Sequence, residues 1–350
     1  MSEVASVTAS VDATHRALAR PRIGFAGLGW IGRNRLNAIA REGTADIVGL
    51  YDTSPDTAHS AHTAIEELAP AVSVARRLED LLENELDGIV IATPSGLHAQ
   101  QTKLALRAGC AVFCQKPLAR TATEAAEVIE TARARNRLLA VDFCYRSVAG
   151  VAAIVELVRS GELGEVYAAD LVFHNAYGPD KPWFYDLRQS GGGCVMDLGI
   201  HLLDLLLFVL DYPQVLEVDS RVRAAGKLLS KPVRALENHA LAQLQFDSGT
   251  TARLACSWNL PAGCDAVIEA TFYGTHGSAS LRNLAGSFYD FTAEHCVGTS
   301  RRVIASGDAA WGGRTACNWI RQLQESRAFD PQAERLHDVS RLVDRIYGRE

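Results

Sequence analysis

The chain has 350 residues, 48% hydrophobic and 22% charged, enough for two domains that each bury a core of their own. A formal net charge of −6 and a pI of about 6.0 exclude a general nucleic-acid binder or an anionic-membrane binder, since both need a concentrated basic face. The eight cysteines are scattered without a CxxC pair, and Cys114, Cys144 and Cys256 fall in apolar strand-like runs, which predicts reduced, buried thiols and a cytoplasmic protein.

Residues 1–20 lack the basic flank and continuous apolar stretch of a secretory signal and read as a loose tail. From Arg22 the chain alternates short apolar runs with helical patterns. Strands are predicted at 22–28, 45–52, 72–75, 87–92, 111–114 and 138–143, with helices beginning near Ile31, Ser54, Leu78, His98 and Thr121. Continuous apolar strands separated by helices imply a parallel sheet covered on both faces, a doubly wound Rossmann domain over 21–145. Ligands bind beyond the carboxyl ends of such strands, which singles out Asp52, Thr93-Pro94, Gln115-Lys116-Pro117 and Tyr145-Arg146.

The loop after the first strand reads GLGWIG, and an acid, Asp52, ends the second strand twenty residues later. Gly27 permits the tight turn, Gly29 lets backbone approach a pyrophosphate, Gly32 allows close helix–strand packing, and the helix N-terminus around Trp30 and Ile31 offers free N–H groups. Strand, glycines, helix and spaced acid together form a dinucleotide-binding fingerprint in its required context. A carboxylate at Asp52 accepts from a ribose 2′-hydroxyl and repels a 2′-phosphate, so NAD is expected over NADP. Arg33 and Arg35 open the first helix and could lie near the adenosine end.

A helix is predicted over about 148–160, after which the pattern changes. The segments around 165–177, 216–224, 239–249, 250–260, 266–274 and 278–283 alternate polar with apolar residues, so the second domain, 146–350, is an α+β unit with a largely antiparallel sheet. A final helix carries Leu336, Val339, Leu342, Val343 and Ile346 at helical spacing. The apolar stretch 195–210 is interrupted by Asp197, His201 and Asp204 and is too short for an untroubled membrane span, so no transmembrane segment is expected. If it is helical, those three residues share one face, and the three glycines before it permit another group, such as a ligand, to approach the backbone. The alternative is a histidine merely satisfied by its two aspartates.

At this point the sequence resembles the glucose–fructose oxidoreductase/inositol dehydrogenase (Gfo/Idh/MocA) family, through GLGWIG, Thr93-Pro94 followed by His98, Lys116-Pro117, and GGGxxxDxGxH ending in Asp197, Gly199 and His201. The resemblance implies a Rossmann domain and an α+β domain with an open sheet, a cleft where nicotinamide meets a sugar or cyclitol, and a homodimer or homotetramer joined through the open sheet. It maps the family's catalytic lysine, aspartate and histidine onto Lys116, Asp197 and His201. The family commonly has Glu-Lys-Pro where this chain has Gln115-Lys116-Pro117, replacing a carboxylate with an amide.

Oxidising an alcohol releases a hydride and a proton, so the site needs a base near neutral pKa and a group that favours the developing alkoxide. His201 suits the first task and Lys116 the second, while Asp197 positions the substrate or the imidazole. Thr93, Pro94, His98 and Gln115 are expected at the cofactor. Tyr145, Arg146, His174, Asn175 and Tyr177 are candidates for binding substrate hydroxyls, with inter-domain packing as their alternative. Trp183, in the aromatic and proline-rich segment 178–185, is expected to cover a sugar face. No metal is expected, because no HExxH or cysteine–histidine ligand spacing occurs. The reading is a dehydrogenase acting on a polyol, sugar or glycoside. Alternatives are an enzyme that cycles tightly bound NAD during elimination or epimerisation, and a non-catalytic sensor of dinucleotide and sugar.

Overall fold

The computed structural model describes residues 20–350, so the expected tail lies, apart from Arg20, outside the described residues. The first sheet contains β1 (Arg22–Ala26), β2 (Asp46–Tyr51), β3 (Ser73–Val74), β4 (Gly88–Ile91), β5 (Ala111–Cys114) and β6 (Leu139–Val141). All pairs are parallel, in the order β3-β2-β1-β4-β5-β6. Every residue of β4 and β5 is buried, as expected of strands covered on both faces. The connecting helices are α1 (Trp30–Glu42), α2 (Pro55–Thr63), α3 (Leu78–Leu82), α4 (Ser95–Arg107) and α5 (Ala122–Arg135). Helix α2 starts where the sequence says it must: Ser54 Oγ accepts from Thr57 N, and Pro55 takes the first position, where its missing N–H costs nothing. Helix α4 starts at Ser95, three residues before His98, because a proline at the N-cap leaves the following turn free to be helical.

The second region comprises α6 (Val151–Arg159), β7 (Val166–Asn175), α7 (Leu187–Ser190), α8 (Ile200–Val209), β8 (Val215–Ala224), β9 (Lys227–Leu228), β10 (His239–Phe246), β11 (Thr251–Ser257), β12 (Ala266–Gly274), β13 (Ser278–Asn283), β14 (Phe291–Val297) and β15 (Ser300–Ser306), followed by α9 (Arg314–Glu325) and α10 (Arg335–Tyr347). Its nine strands run β15-β14-β13-β12-β7-β11-β10-β8-β9, antiparallel except for β7 with β11. Strands β14 and β15 extend the sheet beyond the sequence reading. β15 is an exposed edge strand rich in polar residues, so it carries little of the apolar alternation that marks a half-buried strand.

Helix α9 lies outside the predicted elements, and its apolar face packs on the first domain. Ala316, Trp319, Ile320 and Leu323 enter the core of the first sheet, where Trp319 lies 5.6 Å from Phe113 between ring centroids. The division at 145/146 is therefore crossed by the chain, which returns a helix to the Rossmann unit. Helix α8 is buried along almost its whole length, with Leu202, Leu203, Leu205, Leu206 and Leu207 all inside the main core. The stretch Leu187–Val209 is apolar over enough length to resemble a membrane span, but 89% of its most apolar window is buried within the protein. It is a core element of this fold.

Candidate active site

A cavity of about 1030 Å³ opens at the carboxyl ends of the first sheet, where strand order reverses between β1 and β4. Gly27 adopts φ +87°, and a Cβ there would come within 2.5 Å of the Ala92 carbonyl carbon. A Cβ at Gly32 would lie 2.0 Å from Gly27 O, whereas one at Gly29 would meet nothing within 4 Å. The first and third glycines thus fix the turn and the packing of α1, and the second leaves an open face beside an uncapped helix N-terminus, with Trp30 and Ile31 on the cavity wall. Asp52 stands on the same wall, its Oδ2 accepting from Leu28 N at 2.7 Å and its Oδ1 from Ser54 N at 2.9 Å. Open glycine face, free helix N–H groups and a fixed carboxylate fit a dinucleotide.

The other end of the cavity is assembled from side chains. Lys116 follows β5, and its Nζ donates to Asp197 Oδ1 at 2.9 Å and to Asp197 O at 2.7 Å. The second carboxylate oxygen of Asp197 accepts from Trp258 Nε1 at 3.0 Å. Asp197 lies in a π-helical turn, Val195–Gly199, that runs directly into α8 and carries His201 at the start of that helix. The His201 ring packs 4.9 Å from the Tyr145 ring. Burial, then the nearby charges of Lys116 and Arg35, hold the His201 imidazole well below the ordinary histidine pKa, so it is neutral. Its Nδ1 is sealed with no hydrogen-bond partner among the described residues, which leaves Nε2 as the nitrogen open to a ligand.

Of the residues singled out from sequence, Gly27, Gly29, Trp30, Ile31, Asp52, Thr93, Pro94, His98, Gln115, Lys116, Tyr145, Trp183, Asp197 and His201 line this one cavity. His98 is locked as a clamp between two loops, with Nδ1 2.6 Å from Pro117 O and Nε2 2.7 Å from Thr93 O. The 178–185 strap lies against the site: Trp183 stacks on Phe184 at 3.8 Å, and Phe184 meets Trp258 edge-on.

Other expectations are corrected. Arg146 does not line the cavity; it donates to Asp204 Oδ2 at 2.8 Å and to Tyr212 Oη at 2.7 Å. Asp204 shares a helix with His201 but lies about 10 Å along the axis from Asp197 at 1.5 Å per residue, beyond the cavity floor. His174 Nδ1 lies 2.8 Å from Ser257 Oγ, on the sheet face opposite Leu171 and Phe173. Asn175 and Tyr177, which donates to Asp265, are likewise outside the cavity wall. Arg33 is tied to Ser60 and Thr57, and Arg35 to Asp142 and Asn34, so both guanidinium groups are engaged by protein rather than free for the adenosine end. The space a side chain would need at Gly192 and Gly193 is taken by protein, a Cβ at Gly193 lying 1.9 Å from Glu237 O and one at Gly192 lying 2.2 Å from Tyr347 Oη, while Gly192 also lines the cavity. Glu237 in turn accepts from Gly193 N at 2.9 Å and Val195 N at 3.0 Å, capping the turn that carries Asp197.

Asn34, Phe288, Tyr289 and Trp311 also stand on the cavity wall, and none of them is singled out by the sequence. Trp258, which holds Asp197, was inside a recognised strand segment without being singled out. The only available signals were a tryptophan ending a strand and another before Gly312-Gly313.

Fold and site together define an oxidoreductase that binds a nicotinamide dinucleotide. Residues 21–143 match the family described as "Oxidoreductase family, NAD-binding Rossmann fold", and residues 151–280 match the "GFO/IDH/MocA C-terminal domain". The chain belongs to the Gfo/Idh/MocA family. It is 29% identical over 277 residues to the D-glucoside 3-dehydrogenase of Escherichia coli K12, covering 76% of this chain and 78% of that one. It is 26% identical over 327 residues to the inositol 2-dehydrogenase of Acidothermus cellulolyticus, covering 89% and 87%. Among solved structures, the aldose-aldose oxidoreductase from Caulobacter crescentus superposes with a TM-score of 0.78 at 21% identity, over 94% of this chain and 98% of that one.

Proposed function

We propose that the protein transfers a hydride between NAD and a secondary hydroxyl or ketone of an uncharged sugar, cyclitol or glycoside. The observation that carries the reading is the convergence of Lys116, Asp197 and His201 on one cavity that also holds the dinucleotide cradle. When bound, the nicotinamide accepts or supplies the hydride. His201 takes the hydroxyl proton at Nε2, and its neutral state makes it ready to do so. The Lys116 ammonium stabilises the oxygen as it becomes alkoxide-like. Asp197 is bonded to Lys116 and Trp258 and not to His201, so its role is to aim the ammonium and to receive a substrate hydroxyl.

Charge supports an uncharged substrate. Each lysine and arginine on the cavity wall already has a carboxylate partner: Arg35 with Asp142, Lys116 with Asp197, Lys181 with Asp180. A phosphate or uronate entering the cavity would find no unpaired lysine or arginine among the described residues. The aromatic walls of Tyr145, Trp183, Tyr289 and Trp311 suit the C–H faces of a sugar ring. The relatives named for glucosides and inositol support the same class. NAD is favoured over NADP by Asp52, whose carboxylate would face a 2′-phosphate, with Arg33 committed elsewhere. The open face of the nine-stranded sheet, with Leu241 and Val303 exposed, is the surface for self-association.

The test follows absorbance of reduced nicotinamide while the protein and NAD meet inositols, free sugars and methyl glycosides, beside sugar phosphates and uronates. Turnover confined to the neutral compounds supports the reading. Turnover of phosphates or uronates alone, or of nothing despite NAD binding, overturns it.

A further inference from the structure

Beneath the cavity floor three side chains from distant segments meet. Asp142, the residue after β6, is fully buried, and its Oδ2 accepts from Arg35 Nε at 2.5 Å and from the Gln115 amide Nε2. Arg35 also donates from Nη1 to Asn34 Oδ1 at 2.7 Å. Arg35 and Gln115 reach the cavity wall, whereas Asp142 does not. Both donors converge on one carboxylate oxygen, since Asp142 Oδ1 has no partner among the described residues.

An ionised carboxylate has acceptors only. The Gln115 amide must therefore turn its NH₂ toward Asp142, which leaves Oε1 as the end presented to the cavity. Residue 115 is also the place where the family commonly carries a glutamate next to the lysine. A carboxylate there would lie against Asp142, two negative charges sharing one buried arginine, and would stand one residue from Lys116 in competition with Asp197.

We infer that Asp142 is a positioning residue for the cofactor: it carries the buried negative charge that balances Arg35 and locks Gln115 with an uncharged acceptor, Oε1, toward the nicotinamide half of the dinucleotide. Charge and acceptor, which a single glutamate would combine, are divided between two residues. Lys116 is thereby left to Asp197 alone. The inference rests on the dinucleotide reading of the cavity.

The test is an exchange of amide and acid: Q115E, D142N and the double variant Q115E/D142N, with NAD affinity measured by calorimetry and the melting temperature of each protein without cofactor. Each single variant is expected to weaken NAD binding about tenfold, and the double variant, which restores one carboxylate, one amide and Arg35, to recover to within about threefold of wild type. Losses that multiply in the double variant, or a Q115E protein that binds NAD as wild type does, overturn the inference. If D142N does not fold, Q115E still decides it on affinity, and rescue of its melting temperature in the double variant reports the same coupling. A wild-type protein that binds no dinucleotide would sink the reading of the cavity instead.

Discussion

The two ends of the cavity are built from different materials. At the nucleotide end the surface is largely backbone: Gly27, Gly29 and Gly32, the first N–H groups of α1, and one carboxylate, Asp52, itself held by two backbone N–H groups. All of it comes from β1, α1 and β2, consecutive in the chain. At the chemical end the surface is side chains, with Lys116 after β5, Asp197 and His201 around a π turn, Trp258 after β11, and Tyr289 and Trp311 from the last third of the sequence. A backbone cradle recognises the part of a ligand that stays constant and needs only local geometry. A side-chain wall can be altered one residue at a time, and its precision depends on packing contributed by several elements.

The comparison predicts that the two ends can be broken separately. The largest effect is expected at His201: His201→Ala should lower kcat by roughly 10²- to 10⁴-fold while the calorimetric Kd for NAD stays unchanged. A parallel loss of NAD affinity would show that the ends are not independent. Next comes Asp204, on the same helix but outside the cavity. Asp204→Asn leaves Arg146 without its buried partner and should cost about 3 to 5 kcal/mol in urea denaturation, with KM for NAD unaltered in the folded protein. At the nucleotide end, Asp52→Asn should reduce the preference for NAD over NADP about tenfold in kcat/KM, an effect of one or two kcal/mol from removing one charge beside a 2′-phosphate. An unchanged ratio would move cofactor choice away from Asp52. The smallest expected effect is a shift in a pH profile. Because the His201 pKa is lowered, the base stays neutral below the ordinary histidine range, so the acid limb of kcat/KM should lie below pH 6.5. A limb above that value would contradict the burial of the imidazole as its cause.

The same contrast explains which parts were legible in advance. The fingerprint at 27–32 and Asp52 requires only that a strand, a turn and a helix follow one another, and the first sheet's strands fell close to their expected places. Asp197 and His201 are legible because helical spacing puts them on one face and the GGGxxxDxGxH motif contains both, although Asp197 lies in the π turn that precedes α8. Asp204 looked equivalent by angle, but helical periodicity gives direction and not depth, and the length of α8 carries Asp204 past the cavity to Arg146. Arg146, His174, Asn175 and Tyr177 were placed by their position near strand ends. Which side of a strand end faces a ligand is set by the sheet packed against it.

The sequence alone pointed to the doubly wound sheet and the dinucleotide cradle through local backbone requirements and short spacings, and to the fold family and the candidates Lys116, Asp197 and His201 through the motifs that carry the family resemblance. Tertiary structure decided what those residues touch. Only the fold brings Trp258 to Asp197 and joins Arg35, Gln115 and Asp142 across 107 residues of chain. It also sends α9 back to the first sheet and fills the space at Gly193 with Glu237. These are contacts between segments remote in sequence, fixed by side-chain packing and charge pairing in the buried interior, and no local pattern encodes the partner.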